Sequence, residues 1–197
     1  MNRANGPLVI DFLHQIGNYQ NIYLSEFVSE IEYIPLETSS NCLIGGGLKK
    51  SNVIVTKSHI FLATQKYCYA FDRNGKFITE IGHCGQEPNE YTIINSNVGI
   101  FVDEKKQSLY MGILPPAILE YSWDGALRGY IKLPTNSLGH FPNGVFFLRD
   151  SLFIGHNANY SGNEEYNFFL FDSSGQIIKT FDNHVKNSTF KYKLEFI

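Results

Sequence analysis

No apolar run in this 197-residue chain approaches the roughly 20 residues that a membrane-crossing helix needs. The start, Met1-Asn2-Arg3-Ala4-Asn5-Gly6-Pro7, lacks the apolar stretch of a signal peptide. Taken literally, that start leads to the expectation of a cytoplasmic chain; the alternative is that Met1 replaces a cleaved leader. Charge of one sign is also scarce. Sixteen Lys and Arg against 19 Asp and Glu leave a net charge of -3, with no basic stripe. That excludes nucleic acid and anionic membrane surfaces as expected partners.

Cysteine is sparse too: Cys42, Cys68 and Cys84 form no C-x-x-C pair, which argues against a cysteine zinc site. One bridge, Cys42 to Cys84, stays open for an oxidising compartment, and Cys68 reads as core. No G-x-S-x-G elbow frames a nucleophile. Gly45-Gly46-Gly47 followed by Lys49-Lys50 does not fit a phosphate loop. Cys84, beside His83 in a glycine-rich turn, is the one thiol placed to react. No cofactor is expected.

Aromatic residues are plentiful, at 15% of the chain, and mostly Phe and Tyr, which favour strands. Gly75, Gly125 and Gly175 recur in one frame: Phe71-Asp72-Arg73-Asn74-Gly75, Tyr121-Ser122-Trp123-Asp124-Gly125 and Phe171-Asp172-Ser173-Ser174-Gly175. Each Gly suits a hairpin turn with positive φ, and Asp72 and Asp172 suit the acceptor position that opens it. Around each turn, four short strands are expected. They lie at 52–56, 59–64, 67–72 and 76–81; at 98–103, 108–113, 117–122 and 126–133; and at 144–148, 151–156, 166–172 and 176–181.

Many of these runs are apolar without alternation, as in Phe168-Phe169-Leu170-Phe171. Such strands need cover on both faces. A repeat of this period built from four strands points to an all-β array, a β-propeller of four-stranded antiparallel blades. The expected division is an N-terminal segment at 1–37, blades at 48–82, 97–133 and 144–182, and the start of another repeat at 187–197. Within the N-terminal segment, Leu24–Glu30 reads as a short helix capped by Ser25, and Ile31–Glu37 as an edge strand that completes a blade. The third blade carries an insertion, 157–165.

Two crossings between repeats share the frame Gly-x-x-Pro-Asn, at Gly85–Asn89 and Gly139–Asn143. Propellers usually bind ligands on the face that such crossings form. The candidate ligand-binding residues are therefore His83, Gln86, Glu87, Glu90, His140 and Asn143, lining a polar funnel. The bland alternative is that Gly, Pro and Asn only shape two turns. A metal held by His83, Glu87, Glu90 and His140 is a weaker idea, since no short ligand spacing supports it.

Glu32-Tyr33-Ile34-Pro35-Leu36-Glu37-Thr38 and Leu43-Ile44-Gly45, with Phe71–Ile78, Ile81-Gly82 and Gly85-Gln86-Glu87-Pro88-Asn89-Glu90-Tyr91, resemble a family of bacterial six-bladed β-propeller proteins related to NHL-repeat propellers. The likeness runs from about Leu24 to about Ile131. It departs from the family pattern at Glu87 and Asn89, where that family has glycine. The resemblance implies an exported or lipid-anchored protein of the cell envelope, in the periplasm or at the outer membrane. It implies a binding module for a protein, peptide or glycan, and assigns no catalytic residue. A metal-assisted hydrolase or lyase is the alternative. Six blades need about 300 residues at fifty each, so this chain corresponds to about half a ring: the expectation is a piece of a longer chain, and the alternative is two copies that pair as three blades plus three. The half-ring's exposed faces would invite self-association.

Overall fold

A computed structural model of the chain describes residues 17, 20–45, 51–87, 90–136, 138–159 and 162–183. The expected repeat start at 187–197, the lysine pair Lys49-Lys50, and Pro88 and Asn89 of the first crossing lie outside the described residues. The chain divides into two compact units, 1–33 and 34–197. Among its described residues the first holds a 3-10 turn, Leu24–Glu26. Tyr23 stands at its N-cap, and its N–H donates to Glu26 Oε1 at 3.3 Å. Ser25 is therefore inside the turn and not its cap.

The second unit is all-β. Its first sheet is β1 (Asn52–Val55), β2 (His59–Ala63), β3 (Cys68–Asp72) and β4 (Phe77–Glu80), antiparallel in that order. The second sheet contains β5 (Ile93–Ile94), β6 (Ile100–Asp103), β7 (Ser108–Leu114), β8 (Ala117–Ser122) and β9 (Leu127–Lys132). The third is β10 (Gly144–Arg149), β11 (Leu152–His156), β12 (Tyr166–Asp172) and β13 (Ile177–Asp182), again in sequence order. Most expected strands recur within one or two residues at either end. The second sheet also has a short strand that the sequence did not suggest, β5, ahead of β6. β5 and β6 both pair with β7, and Asn95 interrupts them by accepting the Asn97 N–H at 3.0 Å.

The two-sided apolar runs are explained by how the sheets pack. Within β2 and β3, alternate residues enter different cores. Phe61, Ala63, Cys68 and Ala70 pack with Leu109, Met111, Leu119 and Tyr121 of the second sheet. Ile60, Leu62, Tyr69 and Phe71 pack on the other side with Cys42 and the partly buried Ile34, Leu36 and Ile44. The opposite face of the second sheet, with Tyr110, Ile118 and Ile131, meets Val145, Phe153, Phe169 and Phe171 of the third. Aromatic pairs fasten both joints: Trp123 lies edge-on to Phe61 at 5.4 Å, and Tyr110 stacks on Phe147 at 5.2 Å. Aromatic contacts of this kind add about 0.5–1.5 kcal/mol beyond their buried area.

The three turn glycines all have positive φ: +82° at Gly75, +93° at Gly125 and +81° at Gly175. Asp72 Oδ1 accepts from Asn74 and Lys76 N–H, and Asp172 Oδ1 from Ser174 and Gln176 N–H. In the middle turn Ser122 Oγ takes that place, accepting the Ala126 N–H at 3.0 Å. The Ser174 hydroxyl and then the Gln176 N–H hold the Asp172 carboxyl below its ordinary pKa.

Each turn also abuts a backbone carbonyl. A Cβ at Gly125 would stand 3.0 Å from the Glu80 oxygen of β4, one at Gly175 would collide with the Lys132 oxygen of β9, and one at Gly75 with the Pro35 oxygen. Residues 34–37 thus meet the first sheet in the way that β4 meets the second. They are not a hydrogen-bonded strand, which corrects the expectation of a closing strand there. Pro35 has no N–H to give. The segment is instead pinned by Glu37 N–H to Gly75 O (2.8 Å) and Phe77 N–H to Glu37 Oε2 (3.1 Å).

All three cysteines are free. Cys42 packs on one side of the first sheet and Cys84 against the core on the other, so the sheet separates the two cysteines whose bridge the sequence left open.

Two outcomes follow from this packing. Gly139 has φ +79° with open space around it. Gly139→Ala should cost only the conformational strain, about 1–2 kcal/mol. Gly175→Ala should cost roughly twice that, because the Lys132 carbonyl must also move. Equal losses in urea denaturation would refute the close approach. Under native conditions a thiol reagent should label half-buried Cys84 about a hundredfold faster than Cys42 or Cys68, whose exposure requires opening of the core. Mass spectrometry of the labelled peptides reads the order directly.

Candidate functional site

The first crossing leaves β4 and returns at β5. Its ends are tied by Tyr91 N–H to His83 O and Gly85 N–H to Tyr91 O, both 3.0 Å. Glu90 closes the inner turn, where its Oε2 accepts the Glu87 N–H at 2.8 Å. A Cβ at Gly85 would overlap this carboxylate. Glu90 therefore acts mainly as a loop-builder, while Gln86 and Glu87 project into solvent. His83 is exposed between two carboxylates, with Nδ1 3.8 Å from Glu80 Oε2 and Nε2 4.0 Å from Glu90 Oε1. Burial raises the pKa of Glu80, and the neighbouring imidazole opposes that rise. Its Oε1 is buried without a hydrogen-bond partner.

The second crossing leaves β9 and returns at β10. Buried Asn136 organises it: its Oδ1 accepts from Leu138 N–H at 3.0 Å and His140 N–H at 2.8 Å. The same residue donates from Nδ2 to Glu164 Oε2 at 2.6 Å. Glu164 comes from the insertion between β11 and β12 and is only 6% exposed. The His140 Nδ1 lies 3.5 Å from its other oxygen, on a side chain that is otherwise exposed. Asn143 holds the insertion from the other side by accepting the Ala158 N–H at 2.7 Å. Asn136, His140, Phe141, Asn143, Asn157, Ala158 and Glu164 enclose a cavity of about 290 Å³. Asn157 is 3% exposed, and its Oδ1 has no hydrogen-bond partner.

The six residues singled out in the sequence thus have different surroundings. His140 and Asn143 line a cavity, His83 sits in an exposed carboxylate pair, Glu90 shapes its own loop, and Gln86 and Glu87 are solvated. The shared Gly-x-x-Pro-Asn frame does not impose one backbone turn. Gly139 is needed for its positive φ, whereas Gly85 is needed for lack of room. Sequence reasoning passed over Asn136, Asn157, Glu164 and Glu80. Only Glu164 carried a clue, as an acid within an Asn-rich insertion. Among the described residues no group of three His, Cys, Asp or Glu side chains is placed to hold a metal ion. His83 and His140 pair instead with separate carboxylates. A wider groove of about 650 Å³ lies between residues 40–45 and β3–β4, lined by Tyr67, Tyr69 and Glu80. Its wall runs to Gly45, next to residues outside the description.

No curated protein matches the chain. Twenty-six chains of solved structures do. One is the crystal structure of a protein of unknown function from Bacteroides caccae, at 13% identity and a TM-score of 0.22. The match covers 73% of this chain and 85% of that one. A family model, DUF4934, a domain of unknown function, matches residues 7–195. By that match over nearly its whole length, the chain belongs to the DUF4934 family.

Proposed function

We propose that the three sheets are successive blades of a β-propeller and that the chain is a non-catalytic binding module. In this reading it recognises a glycan, peptide or protein through the loops that cross between sheets. The cavity at the second crossing carries it: two candidate residues, His140 and Asn143, surround it together with buried Asn136, Asn157 and Glu164. A concave site with a few convergent polar groups is the ordinary form of a ligand pocket. The face-to-face packing and the fifty-residue turn register favour the propeller reading. A place in the bacterial cell envelope belongs to the same proposal and rests on the sequence resemblance. The hydrolase or lyase reading has no specific observation in its favour.

The same reading makes the outer face of the third sheet an association surface. Phe146, Leu148, Phe168 and Phe181 point away from the core shared with the second sheet and are 40–56% exposed. Exposed apolar patches of this kind mark interaction sites.

Glycan and peptide arrays test the module. A ligand found there should bind about tenfold more weakly to His140→Ala and Asn143→Ala chains, as expected for the loss of a central contact. Undiminished binding by both variants would remove the site from the proposal. Sedimentation velocity tests the surface. The wild-type chain should associate with rising concentration, and Phe146→Lys with Phe168→Lys should abolish that. A monomer at all concentrations would refute it.

A further inference from the structure

We propose that the cavity at the second crossing binds an alkylammonium group, of the kind that ends a lysine side chain. This rests on the binding-module reading and names the chemistry its pocket selects. Two acceptors are buried in the cavity wall, the Glu164 carboxylate and the Asn157 amide oxygen, at 6% and 3% residue exposure. Neither is fully served. Glu164 Oε2 receives the Asn136 amide, but its Oε1 has only the imidazole of His140, 3.5 Å away on a side chain that is 68% exposed. Asn157 Oδ1 receives nothing. A buried carboxylate with one oxygen so weakly served is costly until a donor reaches it.

Each buried amide on that wall already spends one of its two N–H donors. Asn136 Nδ2 serves Glu164, and Asn157 Nδ2 donates to Tyr166 O at 3.1 Å. The buried wall therefore offers acceptors and a negative charge. A sugar hydroxyl brings no charge to answer the buried Glu164 carboxylate. An ammonium brings three donors, one positive charge and no acceptor. It can bond Glu164 Oε1, taking the place of His140, which swings out to solvent. Phe141, 39% exposed at the cavity, provides an apolar surface for the alkyl stem. A volume of about 290 Å³ accommodates one such side chain.

The test is an NMR titration of the ¹⁵N-labelled full chain. The probes are N-acetyl-lysine amide, its norleucine counterpart, N-acetyl-arginine amide, n-butylammonium and a neutral disaccharide. The lysine probe and butylammonium should shift the Asn136 and Asn157 side-chain amides and bind at least about tenfold more tightly than norleucine, the loss expected when a charged hydrogen bond is removed. The tighter of the two identifies the source, peptide or free amine. Glu164→Gln should weaken both about tenfold. If that variant loses its folded spectrum, the comparison of probes on the wild-type chain still decides. Norleucine equal to lysine, arginine preferred to lysine, or no shift by either amine at about 10 mM would overturn the proposal. If the disaccharide alone moves Asn157, the ammonium is wrong and the module reading stands. If the amines bind there while no larger ligand engages the loops, the ammonium stands and the module reading falls.

Discussion

The second unit depends on a close backbone contact repeated three times. The turn before the last strand of each sheet presses a glycine onto a carbonyl of the segment that precedes it: Gly75 on Pro35, Gly125 on Glu80, Gly175 on Lys132. Only a residue without Cβ can both hold the positive φ and allow that approach. The contact fixes how far one sheet slides over the next. Once it is set, Phe61 meets Trp123 and Tyr110 meets Phe147 and Phe153. The apolar cores then close around these aromatic pairs.

The first of these contacts has a different character from the others. Glu80 and Lys132 belong to full strands, whereas Pro35 belongs to a segment with no ladder partner. Its inward residues, Ile34 and Leu36, still alternate with outward ones and cover Ile60, Leu62, Tyr69 and Phe71. This side of the first sheet is therefore capped by chain. The far side of the third sheet has no such cap among the described residues, and its phenylalanines are exposed. The three sheets have the same local chemistry but unequal neighbours.

The candidate site depends on that stacking. A crossing loop must start at the last strand of one sheet and end at the first strand of the next, so the joint between sheets sets its span. At the second joint the insertion from β11–β12 reaches the crossing, and Asn136 binds the two together through Glu164. Asn183 Nδ2 adds a bond to the Glu164 carbonyl at 2.8 Å, which ties the insertion to the chain beyond β13. Glu164 is thus held by backbone and side chain alike, while one of its carboxylate oxygens has only an exposed imidazole for company.

The hairpin glycines, the strands around them and the need for cover on both faces were legible in the sequence, because each is a local or periodic property. Turn chemistry acts over four or five residues, and an apolar run without alternation has only one physical remedy. His140 and Asn143 were also legible as polar residues in a crossing. The roles of Asn136, Asn157 and Glu164 were not, because Asn136 and Glu164 are 28 residues apart and meet only after two sheets have stacked. Separation of Cys42 from Cys84 by a sheet, and the pairing of His83 and His140 with different carboxylates, were decided by the same packing. The sequence by itself determined which residues turn, extend and avoid water. Tertiary structure alone decided which polar groups were buried together without enough partners, since burial and hydrogen bonding depend on neighbours that no local pattern names.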